Sequence, residues 1–273
     1  MANISYSFSK VSGLNFYKIG TGTPVVLVHG TGFDSRIWIR ASEYLSSRFT
    51  VYTIDRNGFG KSPLRTTDMK DYLSGQADDL LNFIENETGT PAIVVGWSSG
   101  ALTAFRAAIR DQKGLISRII SVEAPYLSSS DNDLGSILKF MKMIYWQLRS
   151  RERKAIEVFL RIVLEKTDGT NSFDSLGNDV IASVTQNAGV SLSEIRTRTG
   201  EDIDKEKLRS LTIPVDFITG DLSPAFIRRS NSRLSGIFPA GKWEHIENGG
   251  HLALYECSEE FSRKVAGLAG VKI

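Results

Sequence analysis

Residues 91–110, PAIVVGWSSGALTAFRAAIR, carry an apolar run of β-formers into two serines held between glycines, and then into a segment with helical patterning. A strand that needed only to turn would use Asn-Gly or Pro, so the hydroxyls ask for another reason. GWSSG fits the pattern GxSxG with Ser98 at its centre and Gly96 and Gly100 on either side. At a strand-turn-helix elbow of this kind the central residue is strained, and neighbours without side chains let strand and helix approach while the hydroxyl projects. Ser99 falls at the helix start, where its N–H points to the same spot. Five-residue patterns this loose recur by chance. The buried strand before this one and the helix after it supply the context that the motif requires.

A serine hydroxyl attacks poorly at neutral pH unless a base takes its proton. The chain has three histidines: His29, His245 and His251. His29 ends an apolar strand in VVLVHG and suits a loop-shaping role. His245 lies inside the strand-like KWEHIEN. His251 follows NGG in a turn beyond the last strand and is the candidate base.

Working outward, strand-like segments alternate with helical ones. NISYSFSK and GLNFYKIG read as an opening antiparallel pair joined near Gly13. PVVLVHG, FTVYTIDRNG, PAIVVGW, SRIISVEAP, IPVDFITGD and KWEHIENGG follow, making eight strands. Helices are expected near 35–47, 69–87, 99–112, 224–235 and 257–268. This is an α/β pattern: an eight-stranded, mostly parallel sheet flanked by helices. The rhythm breaks at 126–210, where LGSILKFMKMIYWQL and AIEVFLRIVLEK are helical and no strand is convincing. That stretch reads as a helical cap subdomain between the sixth and seventh strands, with 1–125 and 211–273 forming the core. RSRERK at 149–154 reads as the wet face of a cap helix.

Composition sets further bounds. At 273 residues, 41% hydrophobic and 23% charged, the chain is long enough to bury a large core. Lys and Arg total 33 against 31 for Asp and Glu, a formal charge of +2 without a basic stripe, so no nucleic-acid partner is expected. The single cysteine, Cys257, allows no internal disulfide and fits a reducing, cytoplasmic setting. MANISYSFSK lacks a signal peptide's apolar core, and no apolar run is long enough for a membrane span. A soluble protein with a small-molecule substrate is expected.

HGTGFDSRIW after the third strand, DRNGFGKS after the fourth, GWSSG after the fifth and GGH near the end occur in an order that resembles the α/β-hydrolase superfamily, in its cap-bearing branch of serine hydrolases. The resemblance covers nearly the whole chain, and the spacing of the set is more specific than any one motif. It implies a Ser, acid, His order along the chain. It also implies an oxyanion hole from the backbone N–H groups of Thr31, just after His-Gly, and Ser99, with Gly30 and Gly32 suiting close backbone approach. DRNGFGKS is similar to the family's DxxGxGxS loop, with Asp55, Gly58, Gly60 and Ser62 at matching places. It is read as a supporting turn without chemistry.

The acid departs from the family's pattern. Hydrolases of this kind commonly place it three residues beyond a glycine after strand seven. Counting from Gly220 lands on Ser223, and Asp221 lies two places early. Ser223 followed by Pro224 reads instead as a helix cap and first-turn proline. Some relatives carry the acid at the end of strand six, where IISVEAP offers Glu123. Glu123 is the preferred acid and Asp221 the alternative.

The expected reaction is ester hydrolysis through an acyl-enzyme on Ser98, with no cofactor or metal. FMKMIYW supplies Phe140, Met141, Met143, Tyr145 and Trp146 for a small to medium apolar pocket. Trp97 and Trp146 are the named candidates for its wall. A cofactor-free lyase, carbon–carbon hydrolase or perhydrolase on the same scaffold is the first alternative, and a ligand-binding protein with little turnover is the second.

Overall fold

The computed structural model describes residues 6–65, 69–126, 134–197 and 203–273. Residues 3–5 of the expected first strand, and 127–133 and 198–202 of the expected cap, lie outside the described residues. Eight strands form one sheet: β1 (Tyr6–Phe8), β2 (Asn15–Ile19), β3 (Thr23–Val28), β4 (Phe49–Ile54), β5 (Ala92–Trp97), β6 (Ile116–Val122), β7 (Val215–Gly220) and β8 (Trp243–Ile246). Their order is β1-β2-β4-β3-β5-β6-β7-β8. β1 and β2 are antiparallel, as is β2 to β4, and every later pairing is parallel.

Parallel strands covered on both faces read as continuous apolar runs, and the central strands obey this. β5 and β7 are buried at every residue. Successive side chains alternate between two apolar layers. Val25, Leu27, Val95 and Ile120 enter one layer with Trp38 and Leu45, beside Phe261 and Val265. Val26, Val28, Val94 and Ile119 enter the other with Leu80, Phe83, Phe105 and Leu234. The first layer is closed by α1 (Ile39–Leu45) and α11 (Ser258–Leu268), the second by α2 (Met69–Glu87), α3 (Ser99–Arg110) and α9 (Ala225–Ser235). The short helix α10 (Ala253–Glu256) precedes α11. Two-sided burial on this scale, at about 25 cal/mol per Å² of apolar surface, is what holds the sheet.

Between β6 and β7 the described residues form α4 (Leu134–Leu148), α5 (Glu152–Val163), α6 (Asn178–Gln186), α7 (Ala188–Thr197) and α8 (Lys205–Arg209). This insertion does not keep a separate apolar centre. Ile156, Leu160, Phe173, Val180 and Val184 belong to the same buried layer as Trp97 and Val122 of the sheet. Ile203 and Leu208 join the opposite layer, so α8 packs with the core helices rather than with its neighbours in sequence. Among the described residues, Met143, Ala155 and Leu192 make a small satellite of their own, with Trp146 against it.

The elbow depends on close approach of α3 to the sheet. A Cβ on Gly100 would overlap the carbonyl oxygen of Val28, and one on Gly96 would lie 2.6 Å from Ala101 Cα. Both obstacles are backbone and have no rotamer to yield. Gly100→Ala is therefore expected to cost about 3 kcal/mol or more, read as a lower denaturant midpoint with an unchanged m-value. Gly267→Ala, where an added Cβ meets nothing within 4 Å, should leave the midpoint near wild type.

Candidate active site

β5, β6 and β7 end at one edge of the sheet, and their last backbone bonds form a staircase. Ser98 N–H donates to Val122 O (2.8 Å) and Glu123 N–H to Ile218 O (3.3 Å). Ser98 has φ 53° and ψ −121°, a strained conformation for a residue with a side chain. Glu123 shares the feature, with φ 50°. Both candidate groups thus leave their strands on a backbone that the surroundings must hold in place.

Glu123 is 1% exposed and His251 2%. His251 Nδ1 lies 2.5 Å from Glu123 Oε2. The carboxylate's other oxygen accepts from Gly220 N–H at 2.8 Å and from the Ser223 hydroxyl. A buried carboxylate needs such donors to offset lost hydration. Because the Nδ1–H donates to Glu123, Nε2 is left as the imidazole's acceptor. The loop carrying His251 is pinned by Trp97, whose indole N–H donates to His251 O (2.8 Å) while the two rings stand 5.4 Å apart.

Asp221 is placed elsewhere. It pairs with His245 Nδ1 at 3.0 Å, both side chains about half exposed. The two carboxylates and two histidines sort into a buried pair and a surface pair. Ser223 corrects the sequence reading: its hydroxyl serves Glu123, and the cap position of α9 is taken by Pro224, with no side-chain cap. The fully buried Ser223 faces the carboxylate because β7 pairs with β6 directly beside it.

The candidate oxyanion loop is fixed through His29. Arg56 N–H donates to His29 Nε2 (3.0 Å), so the ring proton sits on Nδ1, 2.8 Å from Gly30 O. Burial, with the Arg56 charge, pushes the pKa of His29 down to about 3. Asp55 accepts backbone N–H bonds from Ser35 and Lys61, each at 2.9 Å, and burial pushes its carboxyl up. DRNGFGKS thus acts as a brace, as expected, except for Arg56.

That arginine carries the arrangement the sequence reading missed. Arg56 and Glu194, on α7, form an ion pair at 2.8 Å with side chains 1% and 0% exposed. Burial opposes the guanidinium's charge, Glu194 more than offsets this, and the group is held above the ordinary arginine range. Arg56 Nη2 also donates to Ser99 Oγ (3.1 Å), and Thr31 Oγ1 lies 2.8 Å from Glu194 Oε2. No local pattern announces this contact, since 138 positions separate its partners.

The pocket candidates fall in three different surroundings. Trp97 is buried and fastens the His251 loop through its indole N–H. Trp146 packs in the satellite with Met143, under Lys154 at 4.5 Å. Met141 and Tyr145 face solvent at 59% and 47% exposure, because α4 packs on α5 with its other side. The side chain of Phe140 lies outside the described residues. Near the candidate oxyanion loop stands Leu160 of α5, 3.2 Å from where a Cβ on Gly32 would be.

A family model described as alpha/beta hydrolase fold matches residues 23–257. The chain belongs to this family. As an α/β hydrolase it is similar to the pimeloyl-[acyl-carrier protein] methyl ester esterases of Legionella pneumophila (strain Corby), 24% identical over 89% of this chain and 94% of that one, and of Proteus mirabilis (strain HI4320), 26% identical over 91% and 94%. Its fold is shared with a bromoperoxidase from Bacillus anthracis at TM-score 0.77 and 23% identity, over 97% of this hydrolase and all of that chain. No helix among the described residues is long and apolar enough to cross a membrane.

His29 gives the hydrolase a definite acid response. Its folded pKa of about 3 lies below the ordinary 6.5, so the unfolded chain binds the extra proton between those values. The contribution is fully present above about pH 6.5 and is lost as pH falls toward 3, with a slope of up to about 1.4 kcal/mol per pH unit. Denaturant titrations from pH 7 to 4 should show this slope in wild type. A flatter slope is expected in His29→Gln, together with lower stability at pH 7.

Proposed function

We propose that this α/β hydrolase is a serine esterase in which Ser98 is the nucleophile, His251 the general base and acid, Glu123 the triad acid, and the Thr31 and Ser99 N–H groups the oxyanion hole. The observation that carries the reading is the buried 2.5 Å contact between His251 Nδ1 and Glu123 Oε2, which orients the one imidazole that follows the last strand at the edge where the elbow ends.

In the proposed cycle Ser98 Oγ attacks the ester carbonyl carbon while His251 Nε2 takes the hydroxyl proton. Negative charge gathers on the carbonyl oxygen, where fixed backbone donors stabilise it more than water would. Glu123 keeps its charge and stabilises the imidazolium. The C–O bond to the alcohol breaks, and the leaving oxygen takes the proton from His251. Water then attacks the acyl-enzyme with His251 again as base, releasing the acid and restoring Ser98. No step calls for a cofactor.

For substrate we propose small to medium, largely apolar carboxylic esters. Leu160 beside Gly32 and the apolar layer holding Phe33, Ile156 and Phe173 support an apolar acyl group, as does the naming of two relatives as methyl ester esterases. The described helices α4–α8 between β6 and β7 are proposed as the cap over that group. A reducing, cytoplasmic setting remains the proposal that goes with the lone Cys257.

The test is a short-to-medium-chain p-nitrophenyl ester series with fluorophosphonate labelling. Wild type should turn over these esters and label, and Ser98→Ala should do neither. Glu123→Gln should lower kcat by roughly 10²- to 10⁴-fold through the wrong imidazole tautomer, with Asp221→Asn within about twofold of wild type because its partner is a surface histidine. Full turnover in Glu123→Gln beside collapse in Asp221→Asn would transfer the acid's role to Asp221.

A further inference from the structure

Ser99 and Thr31 are proposed as oxyanion donors through their backbone N–H groups, yet both also have hydroxyls, and the structure spends these in an unexpected way. Thr31 Oγ1 stands 2.8 Å from Glu194 Oε2 and 3.1 Å from Ser99 Oγ. A hydroxyl has one proton. If Thr31 gives its proton to the carboxylate, the Ser99 proton turns to Thr31, and Ser99 Oγ accepts from Arg56 Nη2 at 3.1 Å. Arg56 closes the circuit on Glu194 through Nη1 at 2.8 Å and Nη2 at 3.2 Å. The result is a closed ring of four buried side chains: Arg56 to Ser99 to Thr31 to Glu194 and back to Arg56.

The ring ties the loops after three neighbouring strands to a helix of the insertion. Thr31 lies on the loop after β3, Arg56 on the loop after β4, Ser99 at the first turn of α3, and Glu194 on α7 of the insertion. Arg56 also holds the β3 loop directly, since its backbone N–H donates to His29 Nε2. Burying a guanidinium and a carboxylate costs several kcal/mol per ion, and apolar side chains of the same volume often serve a core as well or better. Stability alone is thus a poor reason for this pair. Geometry is a better one, because two catalytic N–H groups on separate elements must converge on one oxygen atom, and misplacement by about 1 Å can cost 100-fold in rate.

Resting on the proposed serine-esterase reading, we infer that Arg56 and Glu194 are positioning residues for the oxyanion hole. They lock the hydroxyls of Thr31 and Ser99 so that the two backbone donors face one point, and they tie that alignment to the docking of α7. The insertion would then do more than shape a pocket: α7 completes the hole's support.

The test uses the full chain, a p-nitrophenyl ester, and a trifluoromethyl ketone whose serine adduct places negative charge in the hole. Glu194→Gln keeps the shape and removes the charge. Arg56→Met/Glu194→Met removes the pair without stranding a partner, and Thr31→Val deletes one link of the ring while keeping the backbone N–H. In each variant that melts as a folded protein, kcat should fall roughly 10- to 100-fold, with KM within about threefold and the ketone's Ki rising by about the factor lost from kcat/KM. A merely structural role would lower Tm without coupling Ki to kcat/KM. A folded double variant with kcat and Ki within about twofold of wild type overturns the inference, and so does a loss confined to KM. Fluorophosphonate labelling separates the two levels. Wild type that fails to label, or Ser98→Ala that still labels, removes the esterase reading itself, whereas Ser98-dependent labelling with an unaffected double variant removes only the positioning role.

Discussion

Burying Glu123 beside His251 obliges the surrounding chain to supply donors for a charge that water no longer reaches. One oxygen takes the imidazole, and the other takes Gly220 N–H and the Ser223 hydroxyl. Each donor comes from β7 or from the segments after β7 and β8, so the carboxylate can exist only where three strand ends meet. The positive φ of Glu123 is part of the same constraint. A strand continuing straight would not present the carboxyl to the loop after β8.

The sequence reading reached most of this because the relevant features are local. Apolar runs bounded by Gly, Asp and Pro gave the strands, and the elbow announced itself through small residues that the close packing of α3 requires. The choice between Glu123 and Asp221 was harder, since both follow apolar strands. What separates them is burial: one meets a histidine inside, the other a histidine outside. Ser223 was misread because a serine before a proline has an ordinary explanation as a helix cap. Only the register of β7 against β6 reveals that its hydroxyl is already taken.

The insertion shows the same limit from the other side. Its helices were legible from their periodicity, but which face each presents was not. Met141 and Tyr145 look like pocket residues in a string of letters, and α4 turns them outward. Glu194 reads in the sequence as an ordinary surface charge, and α7 buries it completely. Contacts between residues more than a hundred positions apart leave no periodic trace. The ring around Ser99 could be found only once the chain was folded.

The sheet order has a consequence for how the protein wears out. Ser98 and Glu123 leave adjacent interior strands, each flanked on both sides, while His251 follows β8, the marginal strand, whose residues are largely open to water. Fraying begins at margins. Mild heating should therefore part the His251–Glu123 pair first, reversibly, while the rest of the molecule still looks native.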